Sequence, residues 1–93
     1  MSNVSSFQVL YDRDSDVLYI STRQVPAARG VEEPSGVVWR YDRDGELIGV
    51  TVVDFHDHWF TRRGVLAKEM ARRFDIPTPQ VCVVLEHAME QRN

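Results

Sequence analysis

Tyr11-Asp12-Arg13-Asp14-Ser15-Asp16-Val17-Leu18-Tyr19-Ile20 recurs thirty residues later as Tyr41-Asp42-Arg43-Asp44-Gly45-Glu46-Leu47-Ile48-Gly49-Val50. Each copy is a short apolar run, a polar Asp-rich stretch and a second apolar run, which is how a β-hairpin is written. The turn chemistry is assigned to Asp12, Asp14, Asp16, Asp42, Asp44 and Gly45. Short carboxylates accept hydrogen bonds from nearby backbone N–H groups, and Asp-Gly tolerates positive φ. Flanks rich in Val, Ile, Tyr, Trp and Thr suit a pleated surface, so strands are expected near 7–12, 16–22, 36–42 and 46–54.

Alternation separates Phe7, Val9 and Tyr11 from Gln8, Leu10 and Asp12, and Val37, Trp39 and Tyr41 from Val38, Arg40 and Asp42. The run Leu47 to Val53 is apolar on both sides, as for a strand covered on each face. The stretch Gln24 to Ser35, with Pro26, Gly30 and Pro34, has no period and reads as the connection between hairpins. From Thr61 the period lengthens: Leu66, Met70 and Phe74 recur every four residues, opposite Lys68, Glu69, Arg72 and Arg73. Pro77 ends that helix, and Thr78-Pro79 has the order of an N-cap and a first-turn proline. Val81, Val84, Leu85 and Ala88 then fall at helical spacing, while the β-branched content of 80–87 leaves a fifth strand as the alternative. The expected architecture is α+β: a four-stranded antiparallel sheet from two repeated β-hairpins, followed by two C-terminal α-helices packed on one face. It is read as one domain over 1–93, with the sheet in 7–54 and a helical hairpin in 61–91.

Eleven Lys and Arg against fourteen Asp and Glu give a net charge of −3, which exerts no global pull toward nucleic acid or anionic lipid. A 43% hydrophobic and 27% charged composition is ordinary for a globular protein. No apolar run is long enough to span a membrane, and residues 1–6 lack the features of a secretory leader, so a cytoplasmic location is expected. The sole cysteine, Cys82, lies in an apolar run without a basic neighbour and is read as a buried structural thiol.

The paired hairpin motifs resemble the domain of unknown function 2283 family of small prokaryotic proteins. The residues carrying the resemblance are Tyr11, Asp12, Asp16, Leu18, Tyr19 and Ile20, then Asp42, Asp44, Gly45, Leu47, Gly49 and Val53, within about Phe7 to Asp54. Family members commonly end soon after the position matching Asp54, so the tail from Trp59 onward inherits nothing. The resemblance implies no established activity, cofactor or catalytic residue. An association of some members with toxin–antitoxin pairs makes an antitoxin-like role one expectation.

Asp12, Asp14 and Asp16 stand at alternate positions like the opening of a calcium loop, but Val17 occupies the place of the sharp-turn Gly and Arg23 that of the bidentate Glu. Asp54, His56 and His58 would share one side of an extended segment and supply the ligand count of an open zinc or nickel site. The competing reading is a polar exit from the last strand. Met70, Ala71, Phe74, Ile76, Val81 and Val84 have the apolar spacing of a helix-turn-helix, with Arg62, Arg63, Lys68, Arg72 and Arg73 available for phosphates. Yet Asp75 replaces the usual turn glycine, and Pro77, Pro79, Cys82 and Val83 stand where base-reading side chains belong. No Ser-His-Asp or Cys-His spacing and no phosphate-cradling loop is found, so catalysis is not expected and no cofactor is implied. Trp39, Phe55, Trp59 and Phe60 supply large apolar area, of which any part left exposed would mark a partner surface, while a Trp is more often packed in the core. The leading expectation is a non-enzymatic protein-interaction module, a homodimer through sheet edge or face that engages a protein partner such as a toxin. A DNA-associated regulator and a metal-binding protein are the alternatives.

Overall fold

Both Asp-rich stretches form turns between paired strands. The structure, a computed structural model, describes residues 2–4, 7–23 and 25–90. Its strands are β1 (Ser2–Val4), β2 (Phe7–Asp12), β3 (Val17–Ser21), β4 (Arg29–Glu32), β5 (Val37–Tyr41) and β6 (Leu47–Val53). A turn of π-type helix (Phe55–Trp59) and a short 3-10 turn (Phe60–Arg62) lead into α1 (Arg63–Phe74) and α2 (Thr78–Glu90).

The α+β class, the antiparallel sheet and the two C-terminal helices agree with the sequence reading, but the sheet has six strands in the order β1-β2-β3-β6-β5-β4, not four. The two added strands are its edges, and β4 lies inside the stretch read as an aperiodic connection, of which Gln24 is outside the described residues. A strand as short as Arg29–Glu32 is formed by pairing with β5, because all four of its residues are exposed and no apolar alternation announces it. The doubled unit is therefore three-stranded. β1-β2-β3 and β4-β5-β6 are two antiparallel meanders joined through β3 and β6, which pair antiparallel with Leu18 opposite Val52 and Ile20 opposite Val50. That pairing relates the halves by an approximate two-fold axis normal to the sheet.

One face of the sheet supplies Phe7, Val9, Tyr11, Leu18, Ile20, Val37, Trp39, Val50 and Val52 to the core. The helices cover this face with Leu66, Ala67, Met70 and Ala71 from α1 and Val81, Val84, Leu85 and Ala88 from α2. Each fully buried side chain of the Val, Leu or Phe kind is worth roughly 1.5–3 kcal/mol relative to exposure. Phe74 joins the layers, its ring edge-on to Phe7 at 5.2 Å and tilted on Trp39 at 6.3 Å. Helix α1 stops at Asp75, whose φ of 57° is left-handed and whose N–H donates to the Ala71 carbonyl.

Residues 80–87 belong to α2, so the fifth-strand alternative is overturned there. Burial of Val81, Val84, Leu85 and Ala88 on one side needs a helical period, because a strand would turn Val84 and Leu85 to opposite faces. Gln91, the last residue assigned to the helical hairpin, lies outside the described residues. Trp39, Phe55 and Trp59 are buried in the core, and of the four aromatics Phe60 is the one that keeps substantial exposure. Cys82 is half-buried at the margin of the core, not enclosed by it.

Candidate interaction surface

The repeated acids hold their turns in two different ways. Asp12 accepts from the N–H groups of Asp14 (3.1 Å) and Ser15 (3.4 Å), and Asp42 from those of Asp44 (2.9 Å) and Glu46 (2.9 Å). Bonds from Ser15 hold the Asp12 carboxyl below its ordinary pKa; the Glu46 N–H, then the Asp44 N–H and the Arg23 guanidinium, do so for Asp42. Asp14 and Asp44 sit at the exposed turn tips, and Gly45 takes the positive φ of 82° that favours glycine.

Asp16 leaves this pattern. Its carboxylate accepts from the Tyr11 hydroxyl and from the backbone N–H groups of His56 (2.8 Å) and Asp57 (3.0 Å), while its carbonyl accepts from the Phe55 N–H (3.0 Å). A carboxylate of the first hairpin thus caps the helical turn that follows β6. Burial alone would raise this carboxyl, but the three donors outweigh it and hold the pKa below the usual Asp value.

That capping changes the geometry assumed for Asp54, His56 and His58. The segment is helical where an extended one was expected, Asp54 has a left-handed φ of 56°, and the alternation that would align the three side chains does not apply. No group of three or more His, Cys, Asp or Glu among the described residues could hold a metal ion, and these three make none. The His56 ring lies 5.1 Å from Phe60 and the His58 ring edge-on to Trp59 at 5.2 Å.

The basic residues are dispersed among separate tasks. Arg62 lies over Trp59, and Arg63 over Phe60, whose carbonyl it also binds at 2.6 Å. Lys68 is exposed, and Arg72 pairs with Glu69 on the same helix at 2.7 Å. Arg73 is tied to the sheet: it pairs with Glu69 (2.9 Å) and Glu33 (3.2 Å) and stacks 4.6 Å over Trp39, whose Nε1–H donates to Glu33 at 3.0 Å. Bonding to Glu69 comes first among the causes that raise the Arg73 pKa and keep the guanidinium charged. The exposed positions of α2 include Pro79, Val83, Glu86 and Glu90, so the charges on that face are acidic where a DNA-reading helix needs donors.

The face of the sheet turned away from the helices is the one that the sequence reading offers, together with the sheet edge, for self-association, without naming its residues. Cα partners put Leu10, Tyr19, Thr51, Val38 and Glu32 in one transverse row across β2, β3, β6, β5 and β4. A parallel row runs Gln8, Ser21, Gly49, Arg40, Gly30. Leu10 is 48% exposed, Tyr19 40% and Val53, farther along β6, 38%. Among the described residues no helix lies over them. Beside the first row the small residues of the second leave a groove of about 220 Å³, walled on its far side by Arg23, Val25 and Ala27.

Gly49 is required where it stands, because a Cβ there would lie 2.9 Å from the Ile20 carbonyl oxygen of the paired strand. Gly49→Val is therefore expected to force β3 and β6 apart locally and to lower stability by about 1–3 kcal/mol. The urea midpoint measures this; an unchanged midpoint would show that the ladder yields without cost.

The architecture places the chain in a class of small α+β proteins: a doubled antiparallel meander with a helical pair closing one face and the other face open. Residues 8–55, more than half of the chain, match the family described as Protein of unknown function (DUF2283), and the chain belongs to that family. The tail that contains both helices lies outside the match, so the Asp16 cap joins the family unit to its C-terminal extension. No curated protein and no solved structure matches the chain.

Proposed function

We propose that this chain is a non-enzymatic protein-interaction module whose contact surface is the open face of the sheet. The observation carrying the reading is the row through Leu10 and Tyr19, with Val53 nearby: large apolar side chains sharing one uncovered face. Three exposed apolar residues on a rigid sheet favour contact with another protein, since burying them returns roughly 25 cal/mol per Å². Self-association fits the same reading through β4, an exposed edge with one side of its backbone unpaired. A homodimer joined there leaves the open face for a second protein, and antitoxin-like inhibition of a toxin is one form this takes. The DNA alternative is less favoured, because Arg73 and Arg72 are engaged with carboxylates and the outer face of α2 is acidic.

Affinity capture from source cells with the wild type and with a Leu10→Thr, Tyr19→Thr variant tests the surface, threonine being chosen to keep strand propensity. A protein retained by the first and released by the second, at equal thermal stability, is the expected result. Equal retention would place the surface elsewhere. Light scattering at high micromolar concentration tests the homodimer, and a strict monomer removes it.

A further inference from the structure

We infer that the groove beside Tyr19 is a carboxylate-reading subsite for an acidic residue of a bound peptide segment, with Arg40 as its anchor. The inference deepens the interaction-module reading and rests on it. Arg40 faces glycine on both neighbouring strands, Gly49 on β6 and Gly30 on β4, so no side chain directly opposite it crowds or neutralises the guanidinium. Its Nε–H donates to Thr51 Oγ1 at 2.8 Å, which fixes the plane of the group. Among the described residues its two terminal nitrogens have no hydrogen bond or ion pair, which leaves the bidentate edge that matches a carboxylate.

The charge of the groove points the same way. Its lining contains Arg40 and Arg23 and no Asp or Glu, in a chain whose net charge is −3. Arg23 is already paired with Asp42, so Arg40 is the cation in this lining with an unoccupied end. Tyr19 and Val25, 40% and 43% exposed, supply apolar walls for the residues flanking the acid. The approximate two-fold axis gives an internal comparison, because it carries Arg40 onto Leu10 and Gly49 onto Tyr19. Where one half of the sheet has a Leu beside a Tyr, the other has an Arg beside a Gly. Close approach of the Ile20 carbonyl already accounts for Gly49, so the residue this comparison singles out is Arg40, whose counterpart Leu10 shows that the position needs no charge to form a strand.

Selection from a displayed library of random heptapeptides, on full-length wild type, Arg40→Gln and Arg40→Lys, tests this. Wild type is expected to enrich peptides with Asp or Glu next to apolar residues. The best of them should bind Arg40→Gln at least about tenfold more weakly, as should its Glu→Gln counterpart bind wild type. Arg40→Lys should recover part of the loss, since it restores charge without the fork. Thermal melts of all three proteins must coincide for the comparison to count, and Arg40 lies on the open face outside the core, so they should. Peptides enriched without an acid, or bound equally by Arg40→Gln, would overturn the carboxylate subsite and leave the module reading intact. No enrichment in any arm would overturn both. Self-association of the wild type that disappears in Arg40→Gln would give the groove to a second copy and also overturn the inference.

Discussion

Trp39→Ala is expected to cost about 3–5 kcal/mol, the range for truncating a buried large aromatic. Small domains have total stabilities of about 5–15 kcal/mol, so the variant should lose about a third or more of a typical margin and unfold at a much lower urea concentration. Three separate contributions meet at this residue. Its ring is fully buried between the sheet and Phe74, its face carries the Arg73 guanidinium at 4.6 Å, and its Nε1–H bonds to Glu33 at 3.0 Å. Truncation leaves Arg73 and Glu33 to rearrange around a cavity, so the loss exceeds transfer of the ring alone. Trp39→Phe keeps most of the apolar volume and should lose about 1–2 kcal/mol, mainly the hydrogen bond and part of the packing. Urea unfolding followed by circular dichroism measures both, and a loss below about 1 kcal/mol for the alanine variant would contradict the core described here.

The second large effect is at Asp16. Asp16→Ala removes a carboxylate that accepts from Tyr11, His56 and Asp57, and leaves two backbone N–H groups at the start of the helical turn without their acceptor. Hydrogen bonds to a charged group are worth about 1.5–3 kcal/mol each before rearrangement, and water can reach this half-buried site, so a net loss of about 2–3 kcal/mol is expected. The effect depends on pH with a definite sign. The folded-state pKa of Asp16 is depressed, so the unfolded chain binds the proton more readily. The stabilisation is complete above the unfolded carboxylate pKa, near about 3.9, and is lost as pH falls through the lower folded value. Wild type should therefore lose stability more steeply than Asp16→Asn as pH falls below about 5. Equal slopes for the two proteins would remove Asp16 from the account. Amide exchange at His56 and Asp57 should also accelerate in Asp16→Ala, a readout local to the junction.

The hairpins were legible because both signals they rest on are local. Asp12 and Asp42 bond to N–H groups two to four residues away, and Gly45 takes its positive φ inside its own turn. The third acid of the first turn looks equivalent to Glu46 in sequence, yet the N–H groups its carboxylate binds are forty and forty-one residues distant. No local pattern carries such a partner. The ties of Arg73 are invisible in sequence for the same reason, since helical spacing puts it on the polar side of α1 while Glu33 and Trp39 draw it against the sheet. The open-face groove was hidden too, because it consists of residues from three strands aligned by register and from the loop after β3.

The amino-acid order alone determined the class of fold, the two turns and the two helices, and with them the family. These follow from periodicity and turn chemistry, which act within about ten residues and need no knowledge of what packs where. Tertiary structure decided that β1 and β4 extend the sheet, that residues 55–59 coil under the Asp16 carboxylate, and that Arg40 stands between two glycines on an uncovered face. Each of those outcomes depends on pairing or burial between segments far apart in the chain, whose energies exist only once the segments have met.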